Sequence, residues 1–389
     1  MLYRKQALQT AIATATLFLL SLSISPALAQ TKPNFIQKMI KKFVSPEKDS
    51  TRSGSLVIIP ALGYAQETGL EYGIASTYNF YVDKADLESR TSNITLMGTL
   101  TTEKQKNIKL TSDLWTKGND YHLVGELRVR DWPFNFYGIG NETWKENEDY
   151  IDQTLYRINL EGEKRFAQNF YAGLNLNYEH LEFNDKDPGG IYENPDVLGK
   201  NGGQYLALGV SALYDTRDFT TYSTRGFYGR FKYSYAPHLF GKDNYTGSQT
   251  ELDIRGFHPI TNQLTIAAQG LYRGTFGKNV PFYVMQDLGG DMTMRGYYSG
   301  RYRDRNYVTA QAELRYRFHP RIGIMGFLGT GSTFSDQHEM RFVPSFGGGL
   351  RYFFSLEHNS SIRLDYAIGE QRPGEKRQSG FYLSISEAF

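Results

Sequence analysis

The sequence predicts an all-β chain that closes into a transmembrane antiparallel β-barrel of about 16 strands. Three observations carry that expectation. Apolar and polar residues alternate with a period of two through most of the chain. Charged residues recur on one face of successive strands, as they would around a wet lumen. An export signal precedes these strands, and no later stretch reaches the roughly 20 apolar residues that a spanning helix needs.

Composition narrows the class. The 389 residues carry 43 Lys+Arg against 41 Asp+Glu. That balance offers nothing to nucleic acid. Cysteine is absent, which excludes disulfides, thiol catalysis and a cysteine-type zinc site. Aromatics make up 15% of the chain, mostly 29 Tyr and 25 Phe, as the girdles at two membrane interfaces require.

The N-terminus reads as a signal peptide over residues 1–29. Arg4 and Lys5 precede the apolar run Ala11 to Ile24, and Ala27-Leu28-Ala29 forms a small-residue cleavage site. Residues 30–53 differ from the rest. Phe35, Ile36, Met39, Ile40 and Phe43 recur at helical spacing beside Lys38, Lys41 and Lys42, and Pro46 stops the pattern. A short amphipathic periplasmic helix is expected there, lying on the leaflet or in the barrel mouth, or else a linker.

From residue 54 to 389 the pattern is strands and turns. Strands are expected near 55–65, 68–82, 91–102, 106–117, 120–132, 148–166, 169–183 and 204–215. Eight more follow near 225–236, 247–258, 263–275, 306–318, 322–334, 343–354, 361–370 and 379–389. Within 306–318, Leu314, Tyr316 and Phe318 oppose Glu313, Arg315 and Arg317. A soluble sandwich would also alternate. The length of the strands, the shared charged face and an alternating C-terminus ending in Phe389 favour a barrel of the Gram-negative outer membrane. Links near 66–67, 103–105, 167–168, 259–262 and 319–321 are short, and 133–147, 184–203, 276–305 and 371–378 are long. Short turns belong on the periplasmic side and long loops outside.

Three segments carry a resemblance. Asp215-Thr-Arg217-Asp218 is followed by Thr224-Arg225-Gly226. Leu288-Gly289-Gly290-Asp291 precedes Arg295-Gly296-Tyr297. Ala312-Glu313-Leu314-Arg315-Tyr316 lies on the next strand. Phe136-Tyr137-Gly138-Ile139-Gly140-Asn141 and Gly348-Gly349-Leu350-Arg351-Tyr352 are weaker echoes. Together they resemble the BamA/TamA-like outer-membrane assembly and translocation factors, the bacterial surface antigen superfamily. The resemblance implies a lid loop folded into the lumen, its Arg295 bonded to acids of the inner wall. Parity puts Glu313 on that wall. The second acid of the family is expected where this chain has Gly329, so the resemblance implies a lock resting on Glu313 alone. About 24 residues precede the barrel, so a member without POTRA domains is expected.

Pro60 falls inside the first strand and cannot donate to the ladder. A weakened seam between first and last strands, or a bulge, would follow. The seven His show no metal-ligand spacing, and Gly289-Gly290-Asp291 is followed by no helix that would make it a phosphate loop. The expected function is assembly or transport of proteins or lipids at the outer membrane, without catalysis, cofactor or metal. The expected partners are outer-membrane lipid, unfolded client chains and a periplasmic protein. A channel or receptor barrel without an assembly role is the alternative.

Overall fold

Alternation settles which way each strand faces. The structure, a computed structural model, describes Arg52 and residues 54–389 except 242–243, 357–358 and 386. The expected signal peptide and, apart from Arg52, the expected amphipathic segment lie outside the described residues. Among these residues the chain forms nineteen strands. They are β1 Ser55–Ala65, β2 Gly69–Phe80, β3 Ser92–Thr101, β4 Lys106–Trp115, β5 Tyr121–Asp131 and β6 Phe134–Phe136. Next come β7 Asp149–Ala167, β8 Phe170–Asp185, β9 Gly202–Asp215, β10 Gly226–Ala236, β11 Gly247–Pro259 and β12 Leu264–Phe276. The last are β13 Gln286–Leu288, β14 Tyr302–Asp304, β15 Asn306–His319, β16 Ile322–Phe334, β17 Val343–Ser355, β18 Ser360–Ile368 and β19 Ser379–Ile385.

Three of these, β6, β13 and β14, are three-residue segments. The other sixteen make the wall. Each pairs antiparallel with its neighbour, β5 joins β7 directly, and β1 returns to β19, so the sheet closes. Every wall strand matches an expected one to within a few residues.

The two faces of the wall are inverted relative to a water-soluble protein. Leu208, Val210, Leu314, Tyr316, Leu350 and Tyr366 are exposed, while Glu313, Arg315, Arg351, Arg363 and Asp365 are buried. An apolar band that would cost free energy in water is stable against lipid, and the charges pair in the lumen. This inversion excludes the soluble sandwich.

The apolar core sits at one end, where the long connections gather. Phe134, Phe136, Leu181, Tyr192, Tyr205, Val280, Phe282 and Tyr283 pack there. We call this the lid end. Two short connections lie there too, contrary to the expected assignment of short links to the other side. Gln105 donates from Nε2 to the carbonyls of Glu67 at 2.9 Å and Pro133 at 2.8 Å. Sixteen strands leave no choice, because every odd connection must return to the same end. The opposite end carries 81–91 and 216–225, tied together by Arg90 Nη1 on Asp215 Oδ2 at 2.7 Å.

The lipid-facing assignment predicts an asymmetry. Val210→Arg, midway along the outer face of β9, should cost about 2–4 kcal/mol of stability in a bilayer, whereas Val210→Leu should shift the urea midpoint little. Equal midpoints for the two variants would mean that this face meets water.

Candidate functional site

Residues 277–305 connect β12 to β15 and fold back into the barrel. The root is a short 3-10 turn, Phe282–Val284. Phe282 is fully buried, with its ring 5.5 Å from Phe136 and 4.7 Å from Phe183 between centroids. From that anchor β13 and β14 form a small antiparallel hairpin, Gln286 opposite Asp304 and Leu288 opposite Tyr302. Its tip can turn because Gly289 holds φ +113; a Cβ there would sit 2.2 Å from the Tyr298 carbonyl. Gly296, at φ +103, brings the main chain within contact of Gly369 beyond β18.

Arg295 ends at the inner wall with no solvent exposure. Its Nη2 donates to Glu313 Oε1 at 2.5 Å and its Nη1 to Asp365 Oδ2 at 2.8 Å. Its guanidinium lies 3.7 Å over the Phe327 ring. Ser345 Oγ donates to its carbonyl at 2.6 Å.

The two acids extend the network. Glu313 also takes Arg315, at 2.8 Å. Asp365 takes Arg351 at 2.5 Å and Arg363 at 3.2 Å. Arg363 reaches Asp291 of the loop at 2.8 Å, and Arg351 reaches Glu387 at 2.7 Å. Four arginines thus meet four side-chain carboxylates, so the cluster is formally neutral. Charge removed from water needs this pairing, since an isolated ion in the lumen wall would carry an uncompensated desolvation cost.

The neighbours of Arg295 are held as well. Gly296 N donates to Tyr382 Oη at 2.8 Å, and Gln66 Nε2 donates to the Gly296 carbonyl at 3.3 Å. Tyr297 Oη donates to the Pro344 carbonyl and accepts from Glu370 N, both at 2.7 Å. The segment 136–141 is the outer clasp of the loop. Gly140 N donates to the Arg303 carbonyl at 2.7 Å, the Tyr137 ring packs edge-on against Tyr298, and Arg301 Nη1 donates to Thr143 Oγ1 at 2.9 Å. Asp304 holds His338 Nδ1 at 2.8 Å.

Asp215, Arg217, Asp218 and Gly226 lie at the opposite end, remote from this loop. They shape one turn. Arg217 Nε and Nη2 close back on Asp215 at 2.9 and 3.0 Å. Asp218 Oδ1 accepts from the main-chain N–H groups of Phe219, Thr224 and Arg225. Gly226, at φ +110, lets β10 start beside Thr216.

Three expectations change. The lock on Arg295 does not rest on Glu313 alone, because Asp365 provides a second acid from β18. At Gly329 a Cβ would stand 3.0 Å from the Gln311 Cβ, so Gln311 occupies the room an acid would need. Gly349 clears the way for Asp365 instead; a Cβ there would lie 2.0 Å from Asp365 Oδ1.

Phe389 does not end a strand. β19 stops at Ile385, and Phe389 is buried against Phe257, its main-chain oxygen accepting from Arg315 Nη2 at 3.0 Å. Pro60 is exposed on the outer face and pairs with Ile74 of β2. Among the described residues β1 meets β19 at one position, Tyr64 opposite Leu383. That register continued would set Pro60 opposite Glu387, whose carboxylate instead faces Arg351 and Ser361. Pro60 therefore faces no strand partner whose bond it could remove.

Beside the loop a polar cavity of about 520 Å³ remains, lined among others by Arg130, Arg157, Glu179, Asp287 and Arg303. Glu67, in the turn between β1 and β2, reaches its edge, and its Oε2 is buried without a hydrogen-bond partner among the described residues. Enclosure, and then the Asp291 carboxylate, push its carboxyl up to about 7.

Comparison with known proteins adds the following. Residues 72–389 match the Omp85 superfamily domain. Among solved structures, BamA from Haemophilus ducreyi lacking POTRA domains 1–3 superposes with a TM-score of 0.55 at 18% identity, over 86% of this chain and 70% of that one. CdiB from Acinetobacter baumannii gives 0.54 at 12% identity over 94% and 69%, and CdiB from Escherichia coli 0.53 at 10% over 90% and 70%. No match is found among curated protein sequences.

Two outcomes are expected of this site. Arg295→Ala leaves two carboxylates short of one cation and should cost about 3–5 kcal/mol of loop anchoring; Asp365→Asn should cost less, because Glu313 remains. Limited proteolysis within 289–301 checks the order, wild type slowest and Arg295→Ala fastest. The second concerns pH. A carboxyl whose value is raised in the closed form favours that form most below its ordinary value of 4.5 and loses that contribution as pH climbs through about 7. Loop protection should therefore weaken between pH 5 and 8, and Glu67→Gln should flatten the dependence.

Proposed function

The chain belongs to the Omp85 superfamily, and on that premise we propose that it aids assembly or transport of proteins or lipids at the Gram-negative outer membrane. The lid end faces outward, because long connections gather there. Residues 277–305 act as a displaceable plug, with Arg295, Glu313 and Asp365 as its lock. A barrel of sixteen strands is too wide for its wall side chains to fill, and an unplugged one would leak.

The observation that carries the reading is the seam. All other neighbouring wall strands are joined through seven or more register positions, the fewest being the seven of β18 and β19. Among the described residues β1 and β19 share Tyr64 and Leu383, while Glu387 and Phe389 turn inward. A strand edge so little used can be separated at small cost and offers its main chain to an incoming strand. The channel reading accounts for a lumen but not for this seam, nor for a buried ion network whose effect is to fill the lumen.

Tyr64 and Leu383 stand opposite one another, at a separation suited to a disulfide. The paired variant Tyr64→Cys, Leu383→Cys should lose the ability to support other outer-membrane barrels when oxidised and regain it on reduction. Support that persists with the seam fully crosslinked would refute lateral opening. Conductance separates the two functional readings. Wild type should be nearly closed and Arg295→Ala open, whereas a large steady pore in wild type would mark a channel.

A further inference from the structure

The wall is not level at the lid end. Lys106, Asp131 and Thr154 stand side by side on β4, β5 and β7, yet β7 begins further out, at Asp149. The ten-residue strands β3 and β4 end lower. The step leaves a notch of about 620 Å³ on the outside of the barrel. Its lower rim is lipid-facing: Tyr72 and Leu100 are exposed, and Ile108 continues the same face below. Its upper rim is cationic, formed by Lys104, Lys106 and Lys186.

Two carboxylates, Asp131 and Asp152, line the same notch, so the three lysines leave an excess of one positive charge there. Lys106 stands 3.8 Å from Asp131, and both are well exposed. Lys186 reaches Asp152 at 2.8 Å. Lys104, held at φ +65 in its turn, forms no ion pair among the described residues. A net cationic rim directly above an exposed apolar face is the complement of an amphiphile with phosphate at its head.

We propose that this notch binds the phosphorylated headgroup of an outer-leaflet glycolipid, with the three ammonium groups on the phosphates and the acyl chains lying along Tyr72, Leu100 and Ile108. Nothing in the plug or the seam is needed for it. The assignment rests on the outer-membrane orientation given above, and the two can fail separately.

The test uses the full-length protein, delipidated and folded in detergent, with hexa-acyl bis-phosphorylated lipid A as probe and native mass spectrometry as readout. Near an anionic surface each lysine contributes about a fivefold factor, so Lys104→Ala, Lys106→Ala and Lys186→Ala together should weaken retention about a hundredfold. Lys104→Arg should retain it, and Lys84→Ala, an exposed lysine at the opposite end of the barrel, should be neutral. Heat-modifiable gel mobility confirms that every variant is folded. Dephosphorylated lipid A should bind far more weakly than the probe. The proposal falls if the triple variant retains lipid A like wild type or if dephosphorylated lipid A is held equally. Displacement of the lipid by millimolar inorganic phosphate would make this a free-phosphate site, and equal affinity for phosphatidylglycerol would make it a general anionic-lipid surface; either overturns it. Protease added to intact cells reports on the orientation independently: a chain whose lid-end connections are cut only after the outer membrane is breached refutes the placement while the binding results stand.

Discussion

The guanidinium of Arg295 lies where a charge is most costly to leave alone, inside a barrel wall and away from solvent. Everything around it can be read as a means of keeping it paired. Glu313 and Asp365 come from strands on either side of β16 and β17, Phe327 lies beneath, Arg315 and Arg351 balance the second oxygens of the acids, and Arg363 shares Asp365 Oδ2 with Arg295. Such a cluster is weak support for overall stability, since apolar residues could fill the same space. Its geometric demand is strict, however. The loop can satisfy Arg295 in this position and would leave two acids undercompensated elsewhere.

The same cluster reaches the C-terminus. Arg351 holds Glu387, and Arg315 holds the main-chain oxygen of Phe389, so the tail is drawn off the line of β19 and into the lumen. The plug and the sparsely paired seam are therefore two ends of one set of charges. On the proposed function, plug release and seam opening would share bonds rather than merely share a barrel.

Much of this was legible in the chain. A period of two across sixteen segments states both the strands and their faces, and parity alone sets Glu313 and Arg315 on the lumen side. The same rule sets Asp365 on that side, but its reach to Arg295 depends on the register of β16, β17 and β18 and on the bare backbone at Gly349, which no local pattern shows. The tail was misread for a related reason. Phe381 to Phe389 alternates whether the last residues continue a strand or turn in to meet Phe257. The short links near 66–67 and 103–105 were assigned by length, whereas the closed sheet assigns ends by order.

The central claim is that one connected network holds both plug and tail. Hydrogen exchange in Glu387→Gln measures it most directly, because Glu387 touches Arg351 and Ser361 but nothing in the loop. The account predicts faster exchange of the amides within 289–301, together with those of the tail. Faster exchange confined to the tail, with the loop amides as protected as in the unaltered chain, would contradict it.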